Sequence, residues 1–121
     1  MAFPATEATI AEAERSIGRS LPPDLRARLA RSNGGDITIA DDSWSLIPVR
    51  DVTDRKRLSR TANDIVRETE QARAWRNFPK EGFAVASNGT GDLLILIPGS
   101  LDVHHWCHET GAVAAVTVDW I

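Results

Sequence analysis

The sequence predicts an α+β domain: a mainly antiparallel sheet of about six short strands, with two N-terminal helices and one longer middle helix packed on it. Three observations lead there. The first is the stretch Gly82–Gly99, GFAVASNGTGDLLILIPG, which has the form of a hairpin. Phe83, Val85 and Ser87 alternate with Ala84 and Ala86 at the period of a half-buried strand. Asn88-Gly89-Thr90-Gly91 tolerates the positive φ of a tight reversal. Leu93-Leu94-Ile95-Leu96-Ile97 is apolar on both faces of a pleat, so it belongs mid-sheet with cover on each side, and Pro98 ends it. The second observation is a pair of apolar stripes at helical spacing before residue 32. The third is that the connections after residue 99 are too short for crossover helices, which makes the sheet antiparallel.

The elements follow in order. Thr9-Ile10-Ala11-Glu12 fits a capping box, so a helix begins there or one turn earlier at Thr6. Ile10, Ala13 and Ile17 form its apolar stripe, flanked by Glu12, Glu14, Arg15 and Arg19, and Gly18 stops it. Leu21-Pro22-Pro23-Asp24 opens a second helix, since proline is tolerated in a first turn. Its stripe is Leu21, Leu25 and Leu29, with Arg26, Arg28 and Arg31 outside, and Ser32-Asn33-Gly34-Gly35 ends it. Ile37–Ile39 and Trp44–Pro48 read as short strands around the acidic turn Ala40-Asp41-Asp42-Ser43. A long helix is expected from about Thr53 to Phe78, on the spacing of Leu58, Ala62, Ile65, Val66, Ala72 and Trp75. After the central hairpin come a strand near Asp102–His108, a turn at His108-Glu109-Thr110-Gly111, and a last strand at Ala112–Val118.

A chain of 121 residues suits one domain, 1–121, with a single core. The N-terminus has neither a basic region nor an apolar one, so no signal peptide is expected, and no apolar run approaches a membrane span. Cys107 is the only cysteine, which excludes an internal disulfide and fits a cytoplasmic protein. The net charge of −3 is uneven. Residues 50–76 hold eight Lys or Arg against five Asp or Glu, whereas residues 77–121 hold one against five. The basic middle has mixed signs at helical spacing and reads as a solvated helix face rather than a nucleic-acid site. The acidic C-terminal half suits a basic partner.

Residues with chemical potential gather in His104-His105-Trp106-Cys107-His108. On a strand, His104, Trp106 and His108 point one way and His105 and Cys107 the other. His104 and His108 then lie roughly 13 Å apart, too far to share a metal. His105 and Cys107 lack two further ligands for zinc, so no metal site is assigned. Cys107 with a histidine would be a thiol nucleophile, but no orienting residue is identifiable, and a buried free thiol is the simpler reading. Gly89-Thr90-Gly91 is a hairpin turn, not a phosphate loop, because no helix N-terminus follows it. No cofactor and no catalytic residue is assigned. The carboxylates Asp41 and Asp42 beside Trp44 resemble an interface anchor, and an ordinary solvated turn with Trp44 in the core is the alternative. Trp75, Trp106 and Trp120 share that ambiguity. Asp92 and Glu109 sit in turns at one end of the sheet, as partner contacts or as turn-stabilising acceptors.

The order of motifs resembles the SUKH superfamily, which includes bacterial immunity proteins and the yeast cell-wall-assembly regulator. The likeness is carried by Glu14, Gly18, Leu21-Pro22, Leu25, Leu29 and Asn33-Gly34-Gly35, then Leu46-Ile47-Pro48 before a polar helix. It continues in Ser87-Asn88-Gly89-Thr90-Gly91-Asp92 and His105-Trp106 with His108-Glu109-Thr110-Gly111. It runs from about Thr6 to Val118. The resemblance implies a binding module, commonly one that neutralises a polymorphic toxin, often a nuclease. Members usually continue into a C-terminal helix, whereas this chain stops at Trp120-Ile121, so that helix is expected to be absent or truncated, leaving part of the sheet or the termini less covered and marking either a truncation or a self-associating edge. Cys107 stands where an Asp is common. The expectation is therefore a monomer or weak homodimer, with no nucleic-acid or membrane partner, that binds a cognate toxin with a basic surface. Asp41, Asp42, Trp44, Asp92, Asp102 and Glu109 are its candidate contacts. A regulatory scaffold of the same fold is the alternative, and a Cys107–histidine enzyme a third.

Overall fold

The computed structural model describes residues 2–120. Among these, α1 (Glu7–Ile17) and α2 (Pro23–Arg31) precede the hairpin of β1 (Asp36–Ile39) and β2 (Asp42–Leu46). Two short helices follow, α3 (Arg55–Arg60) and α4 (Ile65–Ala72). Then come β3 (Phe83–Ser87), β4 (Leu93–Leu96), β5 (His104–Trp106) and β6 (Val113–Ala115). The six strands form one antiparallel meander in chain order. The α+β class and the antiparallel sheet are as the sequence predicts.

The N-terminal helices are built by local hydrogen bonding. Thr6, the earlier of the two expected starts, caps α1 by accepting from the Thr9 N–H. Gly18 ends the helix at φ +76°, and its N–H and that of Arg19 both donate to the Glu14 carbonyl. The Glu14 carboxylate receives the Leu21 N–H at 2.6 Å and the Arg26 guanidinium at 3.0 Å, which fixes the corner between the helices. Arg28 departs from the expected outward position and is buried. Its guanidinium donates to the carbonyls of Ser32, Gly34 and Asp36, tying the end of α2 to the Gly34-Gly35 turn and the start of β1.

The expected long middle helix is two helices, each with its own aspartate cap. Asp54 accepts from the Arg57 N–H and Asp64 from the Arg67 N–H. Between them the Thr61 hydroxyl donates to the Arg57 carbonyl and accepts from the Asp51 N–H, holding the break against the loop after β2. After Ile47, whose N–H donates to the Val85 carbonyl, the chain leaves the edge of β3. There α4 takes its place: the buried Thr69 hydroxyl accepts the Ala84 N–H at 2.9 Å.

β4 is covered on both faces. Leu94 and Leu96 join the main core with Ile10, Leu25, Leu29 and Trp44, while Ile95 faces a second cluster of Ala72, Phe78 and Trp106. A register shift between Ala84 and Ala86 marks a bulge that bends β3. The sheet curls strongly. The rings of Trp44 on β2 and His105 on β5 lie 5.2 Å apart, whereas three strand spacings in a flat sheet would be roughly 14 Å. The chain end completes the curl, because Thr38 of β1 and Asp119 exchange both backbone hydrogen bonds.

Thr69→Val keeps the shape at position 69 but leaves the Ala84 N–H buried and unpaired. We expect it to destabilise the fold by about 2 kcal/mol in urea unfolding, with Thr69→Ser retaining most of the stability.

Candidate functional site: the hairpin-turn rim

Antiparallel register places the β1–β2, β3–β4 and β5–β6 turns at one end of the sheet. The β1–β2 reversal has two central residues, Ala40 and Asp41, at φ +47° and +71°, which is the hairpin turn whose twist matches the strands. Asp41 is exposed at its tip. Asp42 is not in the turn as expected but opens β2 opposite Ile39, also exposed. Within the β3–β4 turn, Asn88 Oδ1 accepts from the Thr90 N–H and hydroxyl.

Asp92 stands at the start of β4 with its side chain 17% exposed. Its Oδ2 accepts from His105 Nε2 at 2.8 Å. Its Oδ1 accepts from His108 Nδ1 at 2.6 Å and from the His108 backbone N–H at 3.1 Å. An ionised carboxylate only accepts, so both imidazoles present N–H groups to it. Burial alone would raise the Asp92 pKa. The two histidine bonds and the backbone amide outweigh it and bring it down to about 2. Gly91 precedes it at φ +107°, where a Cβ would lie 3.0 Å from the His108 ring, so a side chain there meets both backbone strain and a clash.

The two histidines hand this brace on in opposite directions. His105 meets the edge of Trp44 in the main core. His108 meets Trp75 at 5.7 Å between ring centroids, and Trp75 meets Trp106 at 6.3 Å. Trp106 is fully buried, packs on Phe78, and donates its indole N–H to the Asn77 carbonyl. Trp75 itself is 51% exposed, so a large aromatic face lies open beside the β5–β6 turn. Glu109 is exposed in that turn.

Of the sequence-predicted contacts, the structure gathers Asp41, Asp42, Asp92 and Glu109 at one rim. Asp102 lies apart, in the loop from β4 to β5 at the opposite end of the sheet. Trp44 is buried and presents no free face, and Asp92 is turned inward to its histidines. Trp75 reads in sequence as core or interface without being named as a contact, and the Asp92–His105–His108 brace has no sequence signal. A strand that runs through His108 puts His105 and His108 on opposite faces. Instead β5 ends at Trp106, and the turn brings His108 round to the same carboxylate. Cys107 is partly exposed, and its thiol pKa is lowered by the Thr110 hydroxyl and by the amides of Thr110 and Glu109. Among the described residues no His, Cys, Asp or Glu group has metal-binding geometry, and no helix is long and apolar enough to cross a membrane.

A half-exposed Trp75 against the β5–β6 turn, at the end of the sheet that also carries the exposed Asp41, Asp42 and Glu109, suits a protein-binding surface. The chain matches the SMI1/KNR4 family (SUKH-1) over residues 4–120 and belongs to that family. A comparison with curated proteins gave no match. Family membership supports an immunity- or regulator-type protein-binding module.

The Asp92 pKa sets a pH signature. A carboxylate held at about 2, below its ordinary 3.8, contributes stability above pH 3.8 that is lost as pH falls toward 2. Urea unfolding of the wild type minus Asp92→Asn should show a difference of about 2 kcal/mol at pH 7 that shrinks between pH 4 and 2. A difference independent of pH would exclude the brace as its source.

Proposed function

We propose that this chain is a cytoplasmic immunity protein that binds and neutralises a cognate bacterial toxin domain with a basic surface, such as a nuclease. The observation that carries the reading is the rim: Asp41 and Glu109 exposed in hairpin turns and Asp42 exposed at the start of β2, all at one end of the sheet, with Trp75 half-exposed against His108 of the β5–β6 turn. Carboxylates there draw a basic surface in and set its orientation, and they act mainly on the rate of association. Trp75 supplies apolar area, and its contacts with His108 and Trp106 limit the freedom it would lose on binding. Asp92 is a positioning residue in this scheme, since it fixes the turns that present the others. Asp102 belongs to a different surface. No step of the proposal requires catalysis, and Cys107 has no role in it.

The test is co-expression with the toxin encoded beside this gene. Wild-type chain should restore growth. Reversal of Asp41, Asp42 and Glu109 to Lys should slow association at least tenfold at low salt and flatten its salt dependence. Trp75→Ala should raise the dissociation rate at least tenfold. Unchanged protection and salt dependence in the charge-reversed variant would remove the rim from the account. A neighbouring gene that encodes no toxin, together with specific binding to a cell-envelope protein, would favour the regulatory role.

A further inference from the structure

The two edges of the sheet are treated differently. β1 is closed by the returning chain through the paired bonds of Thr38 and Asp119, 3.2 and 2.8 Å. β6 has β5 on one side and, among the described residues, nothing on the other. The bonds that flank its ladder fix which backbone groups face outward. The Cys107 N–H donates to the Ala112 carbonyl at 2.9 Å and the Val116 N–H to the Val103 carbonyl at 3.0 Å. Ala114, opposite His105, falls between them in the same register, so Ala112, Ala114 and Val116 address β5. Val113 and Ala115 therefore turn their N–H and C=O groups away from the sheet. All three strand residues are exposed.

Natural edges are guarded by charge, proline or a bulge. Gly111–Val118, GAVAAVTV, holds no charge and no proline, and the β5–β6 register is unbroken. Carboxylates stand at the two ends instead. Glu109 lies in the turn that enters β6, and exposed Asp102 immediately precedes Val103, which pairs with Val116 just past the strand.

We propose that β6 receives an extended segment of a protein partner as a seventh strand, uncharged at its centre and carrying Lys or Arg at its ends. Four outward backbone groups supply the pairing, and the flanking acids select the charge. A second copy of this chain fits less well. Antiparallel pairing about Ala114 would set the Glu109 end of one β6 against the Asp102 end of the other, acid on acid. The proposal rests on the reading of this chain as a protein-binding module, and adds a mode of contact to the rim.

The probe is the blocked peptide Ac-Lys-Val-Thr-Val-Thr-Lys-NH2, titrated to millimolar concentration into the full ¹⁵N-labelled chain and followed by NMR. We expect it to shift the Val113 and Ala115 amides and slow their hydrogen exchange. The same peptide with Glu in place of Lys should bind at least tenfold more weakly. Ala115→Pro removes an outward N–H that makes no bond within the sheet, so it should weaken binding at least tenfold at unchanged melting temperature. If that variant fails to fold, Val113→Pro removes the other outward donor. Absence of shifts at β6, equal binding of the two peptides, or unaltered binding by a folded proline variant would overturn the proposal. Concentration-dependent dimerisation abolished by the proline variant would also overturn it, and would assign the edge to a second copy. Glu109 serves both surfaces, so the rim is tested apart from β6 by reversing Asp41 and Asp42 alone, which lie on the β1–β2 hairpin, and the two readings then fail separately.

Discussion

The carboxylate of Asp92 is the fixed point of this molecule's functional end. It immediately precedes β4, the strand buried on both faces, and it takes three hydrogen bonds from β5 and the turn that follows. Through His105 that hold reaches Trp44 and the β1–β2 hairpin, and through His108 it reaches Trp75 and the segment after α4. Loops ordinarily move more than the elements they connect. Here a partly buried, ionised group with three donors pins the turns together, and charge-assisted bonds of this kind are the strong ones. The exposed Asp41, Asp42, Glu109 and Trp75 are consequently presented on a pre-ordered frame.

That frame depends on the curl of the sheet. A chain of this size cannot cover a flat six-stranded sheet on both sides with four short helices. Bending the sheet lets α1 and α2 seal the inner face, where Leu94, Leu96 and Trp44 lie, while α4 and the residues after it cover Ile95 and Trp106 outside. The bulge at Val85 bends β3, and the Thr38–Asp119 pair holds the far edge. The same bend brings β2 within ring contact of β5. Curling leaves β6 least covered, and it is there that backbone donors and acceptors face outward without charge to guard them.

Much of this was legible in the residues. The hairpin of β3 and β4 was visible because alternation, turn glycines and a doubly apolar strand agree. The class, the meander and the shared end of the Asp92 and Glu109 turns followed from short connections. The middle segment misled because its apolar spacing continues across Thr61–Asp64, while the signals that divide it, Asp54 and Asp64 as caps, are local and weak. Arg28 reads as a solvent-facing residue because periodicity has no way to register the carbonyls of Ser32, Gly34 and Asp36 that the Gly34-Gly35 turn brings around it. The Asp92 brace was hidden for a geometric reason: ending β5 at Trp106 rather than His108 changes which side His108 occupies. Trp44 and Trp75 could be told apart only by tertiary packing, which buries one and leaves half of the other in water. The SUKH resemblance found in the motifs is matched by the family assignment over residues 4–120.

If this protein binds another through its hairpin-turn rim, a quantitative pull-down from source cells decides it, with two baits: the wild-type chain and a folded variant carrying Lys at positions 41, 42 and 109. The wild type should recover one basic protein in stoichiometric amount, and the variant should lose it. Equal recovery of that protein by both baits would rule the rim out.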